Sequence, residues 1–250
     1  NCNIIQIILA DLKGFYGFVW CLLFILFKLI GKPTFLYWIG SDVTIANKRM
    51  LWFSNFFITK HFAIAPWLVN ELKDKGVKAE FYPNPIPQTD LHIQPFPEEF
   101  TILAYLGDKN EEDFYGRKII NKFIETLPYK FIILGSKKQQ KSEKVQYLGF
   151  IPRKDMIEIY TKSTVLVRIT EHDGFSNMVQ EALYNGRYVI WSKKYPYSIY
   201  AETYEDVLKR LEFVKEFTEP NYRGALNHAR DFTERESADK FIKTYLEVLK

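Results

Sequence analysis

Short, uninterrupted apolar segments alternate with helical segments along nearly the whole chain, and this alternation restricts the fold more than any other feature. Segments such as Lys130–Leu134 (KFIIL) and Thr164–Ile169 (TVLVRI) are rich in β-branched residues and shorter than an ordinary helix. Strands that are apolar throughout are typical of parallel sheets with helices on both faces. The sequence therefore predicts an α/β protein with right-handed crossovers.

A proline-rich segment divides this pattern into two halves. Residues 82–100 hold five of the chain's 11 prolines, and proline fixes φ and cannot donate to a strand ladder. We therefore predict an N-terminal domain over residues 1–86, an extended linker over 87–99 and a C-terminal domain over 100–234. A last helix over 235–250 is expected to pack back toward the N-terminal domain. Since ligands in open α/β sheets bind at the carboxyl ends of strands, we expect a cleft between the domains.

Local signals give the bounds of the individual elements. Pro66 suits the first turn of a helix, and Gly76 suits the residue just after its end. The strands are predicted at 3–9, 34–39, 62–65, 79–82, 100–106, 130–134, 145–148, 164–169 and 188–191, and the helices at 15–30, 66–75, 116–127, 152–161, 177–184, 204–216 and 237–249.

The segment Phe15–Ile30 (FYGFVWCLLFILFKLI) is the most hydrophobic part of the chain. It contains Lys28 and is shorter than the roughly 20 residues that a membrane-spanning helix needs. A buried helix is the preferred interpretation, and a helix in a membrane interface or a true span remains open. Residues 1–82 carry nine Lys/Arg and five Asp/Glu, whereas the other 25 basic and 25 acidic residues balance. This excess fits a peripheral contact with an anionic membrane, a phosphorylated substrate or an ordinary solvated face.

Composition argues against several other classes of protein. A net charge of +4 without a basic stripe is not typical of a nucleic-acid-binding protein, so no nucleic-acid partner is expected. Cys2 and Cys21 form no CxxC pair, which argues against a disulfide framework or a cysteine zinc site and fits a reducing compartment. A signal peptide is a poor fit because no small-residue cleavage site follows the apolar segment. We expect a cytoplasmic location, with possible docking at the cytoplasmic membrane face.

The loop that follows the strand ending at Ile169 combines a glycine, a helix cap and two acids. Gly174 permits an unusual backbone conformation, and Ser176 or Asn177 can cap the helix that follows. Free N–H groups at a helix N-terminus suit a phosphate. Glu181 lies about one turn into this helix, where a carboxylate can accept hydrogen bonds from the two hydroxyls of a ribose. Solvent exposure or a structural ion pair is the alternative for Glu181.

The stretch DGFSNMVQEALYNGRYVIW, in which seven residues separate Asp173 from Glu181, resembles a known motif. It is similar to the E-x7-E region of retaining, glycogen-synthase-like glycosyltransferases with the GT-B fold. The segments YWIGSDV, FYPNPIP, YKFIILG and Tyr147–Val167 resemble other parts of the same family in the same order. The resemblance implies two Rossmann-like domains that face each other across a cleft. The N-terminal domain is expected to be incomplete, because two βα units of the family have no counterpart here.

The resemblance also implies roles for particular residues. The family's second acid, which binds the nucleotide ribose, corresponds to Glu181, and its first acid, which contacts the donor sugar, corresponds to Asp173. His172 is the best-placed candidate for the family's histidine near the sugar, with an exposed loop histidine as the alternative. The backbone that holds the donor diphosphate corresponds to Gly174, Phe175, Ser176 and Asn177.

The sequence departs from the family where a basic pair usually holds the diphosphate. Asp108 stands at the position of the family's arginine, and Tyr115 at that of its lysine. Arg168 is the favoured replacement, because a charged residue at the end of a buried strand needs a partner; an ion pair with Asp173 is the alternative. Further donor-binding candidates at the end of the strand over 100–106 and beyond it are Gly107, Lys109 and Arg117.

The acceptor side is expected in the N-terminal domain. Gly40, Ser41 and Asp42 follow its second strand, where they either face the acceptor or cap a helix. His61 lies beside the next strand and is a further acceptor-side candidate.

The resemblance implies a glycosyltransferase that moves a sugar from a nucleotide-diphosphate sugar to a glycan or a lipid-linked acceptor. The family reaction retains the anomeric configuration. No cofactor is expected, and because the sequence contains no D-x-D triplet, no metal is expected either. A non-catalytic nucleotide-sugar-binding protein or partner subunit is the alternative, and a sugar-nucleotide epimerase is the third possibility.

Overall fold

The protein is described by a computed structural model that covers residues 4–8, 12–83, 91–107, 113–136, 142–231 and 234–249. The chain divides into two compact units. The first unit contains residues 1–85, 172–175 and 232–250, and the second contains residues 86–171 and 176–231. Each unit is built around its own parallel sheet, which confirms the predicted α/β class.

The first unit contains a four-stranded sheet in the order β1-β2-β3-β4, and all of its strands are parallel. Its strands are β1 (Ile5–Ile8), β2 (Thr34–Trp38), β3 (Lys60–Ala63) and β4 (Ala79–Phe81); its helices are α1 (Gly14–Leu29), α2 (Asp42–Ile45), α3 (Lys48–Ser54), α4 (Pro66–Asp74) and, from the C-terminus of the chain, α10 (Glu234–Leu249).

Aromatic side chains join α10 to the first sheet. Phe241 and Tyr245 stack on each other with their ring centroids 4.2 Å apart. Tyr245 also packs edge-on against Phe35 of β2, and Phe241 lies parallel to Tyr37. Each aromatic pair adds about 0.5–1.5 kcal/mol beyond the burial of its area. The C-terminal helix is therefore part of the core of the first unit.

The preferred interpretation of the apolar segment Phe15–Ile30 as a buried helix is wrong for most of its side chains. The helix forms as α1, but only Gly17, Cys21 and Phe24 are buried in it. The side chains of a helix point in all directions around its axis, so neighbours on one side cover one face only. In α1 the covered face packs against β2 and α3. Within the part of the chain that the structure describes, no helix has the length and apolar character needed to cross a bilayer.

The second unit contains a six-stranded parallel sheet in the order β10-β9-β8-β5-β6-β7. The chain builds outward from β5 to β7 on one side and then returns to continue from β8 on the other side. The point where the order reverses lies between the neighbouring strands β5 and β8, and open sheets bind ligands at this point. The elements are β5 (Thr101–Tyr105), α5 (Arg117–Thr126), β6 (Lys130–Leu134), β7 (Val145–Gly149), α6 (Met156–Thr161), β8 (Val165–Arg168), α7 (Asn177–Tyr184), β9 (Tyr188–Trp191), β10 (Ile199–Tyr200), α8 (Tyr204–Lys215) and α9 (Tyr222–Asp231).

Most predicted elements are present, and several have the predicted bounds. Strands β6 and β9 and helix α7 begin and end at the predicted residues. Helices α2, α3 and α9 and the two-residue strand β10 were not predicted. Helices α2 and α3 and strand β10 are too short for a clear apolar pattern, and α9 is largely polar, with few large apolar residues to mark it.

Candidate functional site

A pocket of about 350 Å³ lies in the second unit, at the carboxyl ends of its central strands. Tyr105 closes β5 and Arg168 closes β8, so the pocket contains the point where the strand order reverses. Leu134 and Gly149, at the ends of β6 and β7, also line it. The remaining lining residues are Tyr115, Phe150, Ile151, Met156, Tyr160, Ser176, Asn177, Met178 and Glu181.

Glu181 brings a buried carboxylate to this pocket. Its side chain is 10% exposed, and each carboxylate oxygen has a partner within the second unit. Arg153 places its Nη2 atom 2.7 Å from Oε1, and the hydroxyl of Tyr160 donates to Oε2 over 2.9 Å. A carboxylate has about four lone-pair sites, so each oxygen can still accept one further hydrogen bond.

Tyr160 keeps its proton under all ordinary conditions. Burial, and next the neighbouring carboxylate of Glu181, raise the pKa of the Tyr160 phenol well above its ordinary value. The phenol is therefore a permanent hydrogen-bond donor beneath the carboxylate, while Arg153 holds the other oxygen from a half-exposed position. Both contacts fix the orientation of the Glu181 carboxylate.

The N-terminus of α7 lines the same pocket. Ser176 precedes the helix and makes no side-chain capping hydrogen bond, and Asn177 opens it. The first N–H groups of a helix have no partner within that helix, and they lie at the positive end of its dipole. Glu181 follows Asn177 by four residues, so both side chains lie on one face of the helix. The arrangement places a helix end that suits an anion one turn away from a carboxylate that can accept hydrogen bonds.

Arg168 is the cation among the lining residues, and its guanidinium lies over the ring of Tyr115 at 5.5 Å. The backbone at Gly116 lies very close to Ile169, the residue that follows Arg168. Gly116 has a positive φ of 64°, and a Cβ there would come within 2.8 Å of the Ile169 side chain. Gly116 therefore allows Tyr115 to lie beside the end of β8.

Phe150 provides an aromatic surface at the rim of the pocket. It follows Gly149, which ends β7 with a positive φ of 64°, and 84% of its surface is exposed. An exposed aromatic ring at the rim of a pocket can stack on a planar ligand group.

Gly107 and Arg117, two of the donor-binding candidates after β5, are described by the structure and are not among these lining residues. The Nη2 atom of Arg117 donates to the carbonyl oxygens of Leu106 and Gly107, at 2.7 and 3.3 Å. Arg117 thereby ties the end of β5 to the beginning of α5. Lys109 and Asp108 lie outside the described residues.

Residues 172–175 belong to the first unit, whereas Arg168, Ser176, Asn177 and Glu181 belong to the second. The Nε2 atom of His172 lies 2.8 Å from Oε2 of Glu71, and the indole N–H of Trp67 donates to the carbonyl of Asp173 over 2.7 Å. A Cβ on Gly174 would overlap the carbonyl oxygen of Ile39. Phe175 is buried and lies edge-on to Trp67.

Two acceptor-side candidates of the first unit have structural partners. The carboxylate of Asp42 accepts hydrogen bonds from the N–H groups of Ile39, Gly40 and Val43, at 2.7–3.2 Å. Burial raises the pKa of this carboxyl group, although the amide donors act in the opposite direction.

His61 is buried in β3, and its Nδ1 atom accepts a hydrogen bond of 3.2 Å from the indole N–H of Trp38. The ring proton must therefore be on Nε2. Ser41 is exposed. A Cβ added to Gly40 would lie 3.5 Å from the backbone nitrogen of Gly174.

Sequence reasoning missed the two residues that hold Glu181. Arg153 precedes it by 28 positions and Tyr160 by 21, and no local pattern connects residues at such separations. The sequence showed that the predicted helix over 152–161 has basic residues in its first turn. It did not show that one of them contacts Glu181. Among the described residues, no group of three or more His, Cys, Asp or Glu side chains lies close enough together to hold a metal ion.

Comparison with known proteins identifies the architecture. No protein-family model matches the sequence, and no curated protein matches it. Solved structures do match. HepE from Anabaena, in complex with UDP-glucose, is 11% identical with a TM-score of 0.72 over 90% of this chain and 75% of its own. The pneumococcal O-GlcNAc transferase GtfA, in complex with UDP and GlcNAc, is 14% identical with a TM-score of 0.71 over 99% of this chain and 58% of its own.

The sucrose-phosphate synthase from Thermosynechococcus elongatus is also similar. It is 13% identical with a TM-score of 0.72 over 99% of this chain and 74% of its own. At these identities the likeness concerns the fold, which is the GT-B fold of these proteins. The predicted fold class is thereby confirmed.

Proposed function

We propose that this protein is a glycosyltransferase that moves a sugar from a nucleotide-diphosphate sugar to a glycan or lipid-linked acceptor. One observation carries the proposal: the buried carboxylate of Glu181 and the N-terminus of α7 line one pocket at the carboxyl ends of β5 and β8. A nucleoside diphosphate needs both a partner for its ribose hydroxyls and a partner for its phosphates. The pocket offers both at the spacing of one helical turn.

In this proposal the ribose hydroxyls donate to the remaining lone pairs of Glu181. The diphosphate lies at Ser176 and Asn177, with Arg168 as its counter-ion, and the base stacks on Phe150. Leaving-group charge grows on the diphosphate during transfer, so fixed N–H groups and a cation there lower the barrier. Asp173 contacts the donor sugar, and His172 is the candidate for a histidine beside it. The reaction retains the anomeric configuration and needs no metal.

The neighbours in structure space support this proposal. HepE is described with UDP-glucose, and GtfA is a transferase described with UDP and GlcNAc. Both are similar to this chain over nine-tenths of its length or more. A uridine diphosphate sugar is therefore the first donor to try.

A non-catalytic nucleotide-sugar-binding protein is the second candidate. The observation in its favour is Tyr115, which lies against Arg168 where the related family has a lysine. One cation fewer at the diphosphate weakens charge stabilisation in the transition state more than it weakens binding. A binding protein would bind the nucleotide sugar without consuming it, whereas an epimerase would convert its sugar without an acceptor.

The test measures thermal stabilisation by UDP-, GDP- and ADP-sugars in the native protein and in Glu181→Gln. We expect one nucleotide to raise the melting temperature, and we expect Glu181→Gln to weaken its binding by about 10- to 100-fold, because hydrogen bonds to a charged group contribute about 1.5–3 kcal/mol. Glu205→Gln on the exposed side of α8 is the matched control and should bind normally.

Turnover with the stabilising nucleotide sugar, in the presence and absence of EDTA, then separates transferase from binding protein and tests metal independence. The proposal is wrong if no nucleotide changes the melting temperature, or if Glu181→Gln binds as tightly as the native protein.

A further inference from the structure

Helix α1 presents a continuous apolar stripe to solvent. Its members follow a helical spacing of three and four residues, so they lie along one side of the helix. Phe15 is 76% exposed and Leu29 is 79% exposed, at opposite ends of the stripe. The apolar stripe of α1 consists of Phe15, Phe18, Val19, Leu22, Leu26 and Leu29. Contiguous exposed apolar surface of this kind marks an interaction site.

Helix α3 contacts α1, and α3 together with the residues just after it carries a second exposed face, with basic side chains at the start of the helix and aromatic ones at its end and beyond. Trp52 is 63% exposed and Phe56 is 62% exposed, and their rings pack edge-on at 5.0 Å. Lys48 and Arg49 are exposed on the same helix, four and three residues before Trp52. Tryptophan and basic residues together are typical of the region between lipid headgroups and acyl chains.

The charged side chains that this segment of the chain brings to the surface all have one sign. Residues 12–59 contain five basic side chains and one acid, Asp42. Asp42 is 5% exposed and is hydrogen-bonded to backbone amides. The surface of this segment is therefore cationic wherever it is charged. The basic residues are Lys13, Lys28, Lys32, Lys48 and Arg49.

The dimensions of α1 decide how it meets a bilayer. Sixteen residues at 1.5 Å each give a length of about 24 Å, less than the roughly 30 Å of a hydrocarbon core. The helix is also held to the first unit by its buried side, through Gly17, Cys21 and Phe24. These facts favour a helix that lies along the interface rather than across it.

We propose that the apolar stripe of α1 and the exposed face of α3 form a docking surface for an anionic lipid bilayer. Apolar side chains enter the interface, and the five basic residues attract anionic headgroups. The proposal goes beyond the transferase function and does not rest on it, because docking requires no nucleotide. It gives the first unit a specific partner, a bilayer with negative surface charge.

The test is co-flotation of the purified protein with two kinds of vesicle, phosphatidylcholine alone and phosphatidylcholine with phosphatidylglycerol. We expect binding to the anionic vesicles, reduced by high salt. Lys48→Gln with Arg49→Gln should weaken it by about 25-fold, since each basic residue near an anionic surface contributes about fivefold. Phe18→Ser with Leu22→Ser should reduce it at least as much.

Matched controls come from α8 and the residues just after it, which belong to the second unit. Phe213→Ser with Phe217→Ser removes two exposed aromatic side chains, and Lys209→Gln with Arg210→Gln removes two exposed charges. Both controls should float like the native protein, and circular dichroism checks that every variant is folded.

Three results would overturn the proposal. The first is no flotation with either kind of vesicle, and the second is equal flotation of the native protein and the α1 and α3 variants. The third is a dimer in size-exclusion chromatography that Phe18→Ser with Leu22→Ser dissociates, which would mean that a second copy covers this surface. If the native protein floats with the anionic vesicles but binds no nucleotide, the proposed function is contradicted and the docking surface is not.

Discussion

Arg153 and Glu181 form an ion pair of 2.7 Å beside the pocket of the second unit, and Tyr160 holds the other oxygen of the same carboxylate. The carboxylate is buried, whereas the guanidinium is half exposed. Arg153 therefore acts on Glu181 from the solvent side and Tyr160 from the protein side. The two contacts leave one lone pair on each oxygen for a ligand.

The first prediction concerns this pair. Arg153→Met should weaken binding of a nucleoside diphosphate by about tenfold, because the carboxylate loses one of the two groups that orient it. The loss should be smaller for the 2′,3′-dideoxy nucleotide, which cannot donate to Glu181. Calorimetric titration of both nucleotides measures the two effects.

Lys162→Met is the matched control, since Lys162 forms an exposed ion pair with Glu158 on the neighbouring helix α6. Equal losses for the ribo- and dideoxy nucleotides would mean that Arg153 contributes only general charge and does not position Glu181.

The second prediction concerns the loop of the first unit. Gly174→Ala forces a Cβ against the carbonyl oxygen of Ile39, so the segment over 172–175 must move away and the unit should lose about 1–3 kcal/mol of stability. Gly40→Ala, in the same contact, places its Cβ 3.5 Å from the backbone of Gly174, which is an ordinary distance.

Hydrogen exchange of the peptide that contains residues 170–176 measures the displacement. Only Gly174→Ala should increase exchange there. Equal protection in both variants would contradict the packing of Gly174 against Ile39.

The third prediction concerns acid stability. Burial lowers the pKa of His61 to about 4 and that of His228 to about 3; for His228 the nearby Asp231 acts in the opposite direction. The unfolded chain binds these protons near pH 6.5, so stability is full above pH 6.5 and decreases as the pH falls toward the folded values. Between pH 8 and pH 5 each histidine should cost about 2 kcal/mol.

Urea unfolding at several pH values checks this expectation. His61→Gln should flatten the pH dependence of the first unit and His228→Gln that of the second, because each unit contains one of the two buried histidines. If the free energy of unfolding depends on pH as steeply in either variant as in the native protein, other groups cause the acid sensitivity.

The fourth prediction concerns Arg187, which is fully buried in the second unit. Its guanidinium and Nε donate to the carbonyl oxygens of Asn185 at 2.8 Å and Ser163 at 3.0 Å, and also to those of Gln94 and Pro95. Burial lowers the pKa of Arg187 to about 10, so the side chain remains charged at neutral pH.

Arg187→Met should destabilise the second unit by about 3 kcal/mol or more, because several buried carbonyls lose their donor. Arg210→Met, on the exposed side of α8, should change little. The free energy of unfolding in urea measures both. A small effect of Arg187→Met would mean that water replaces the guanidinium.

The sequence by itself determined the elements and the order in which they occur. Continuous apolar strands such as β6 and β9 and the helix α7 were predicted with their bounds, because apolar periodicity is a local property of the chain. The same local pattern also drew attention to Glu181 and to the N-terminus of its helix.

Only the tertiary structure decided which residues meet. The partners of Glu181, Arg153 and Tyr160, come from a different part of the chain, and His172 pairs with Glu71 across 101 positions. The exposure of α1 was likewise undecided by its sequence, since a helix that is apolar on all sides looks the same whether a neighbour covers it or not. The local sequence indicates which secondary structure each segment prefers. Burial and side-chain pairing depend on neighbours that only the folded chain supplies.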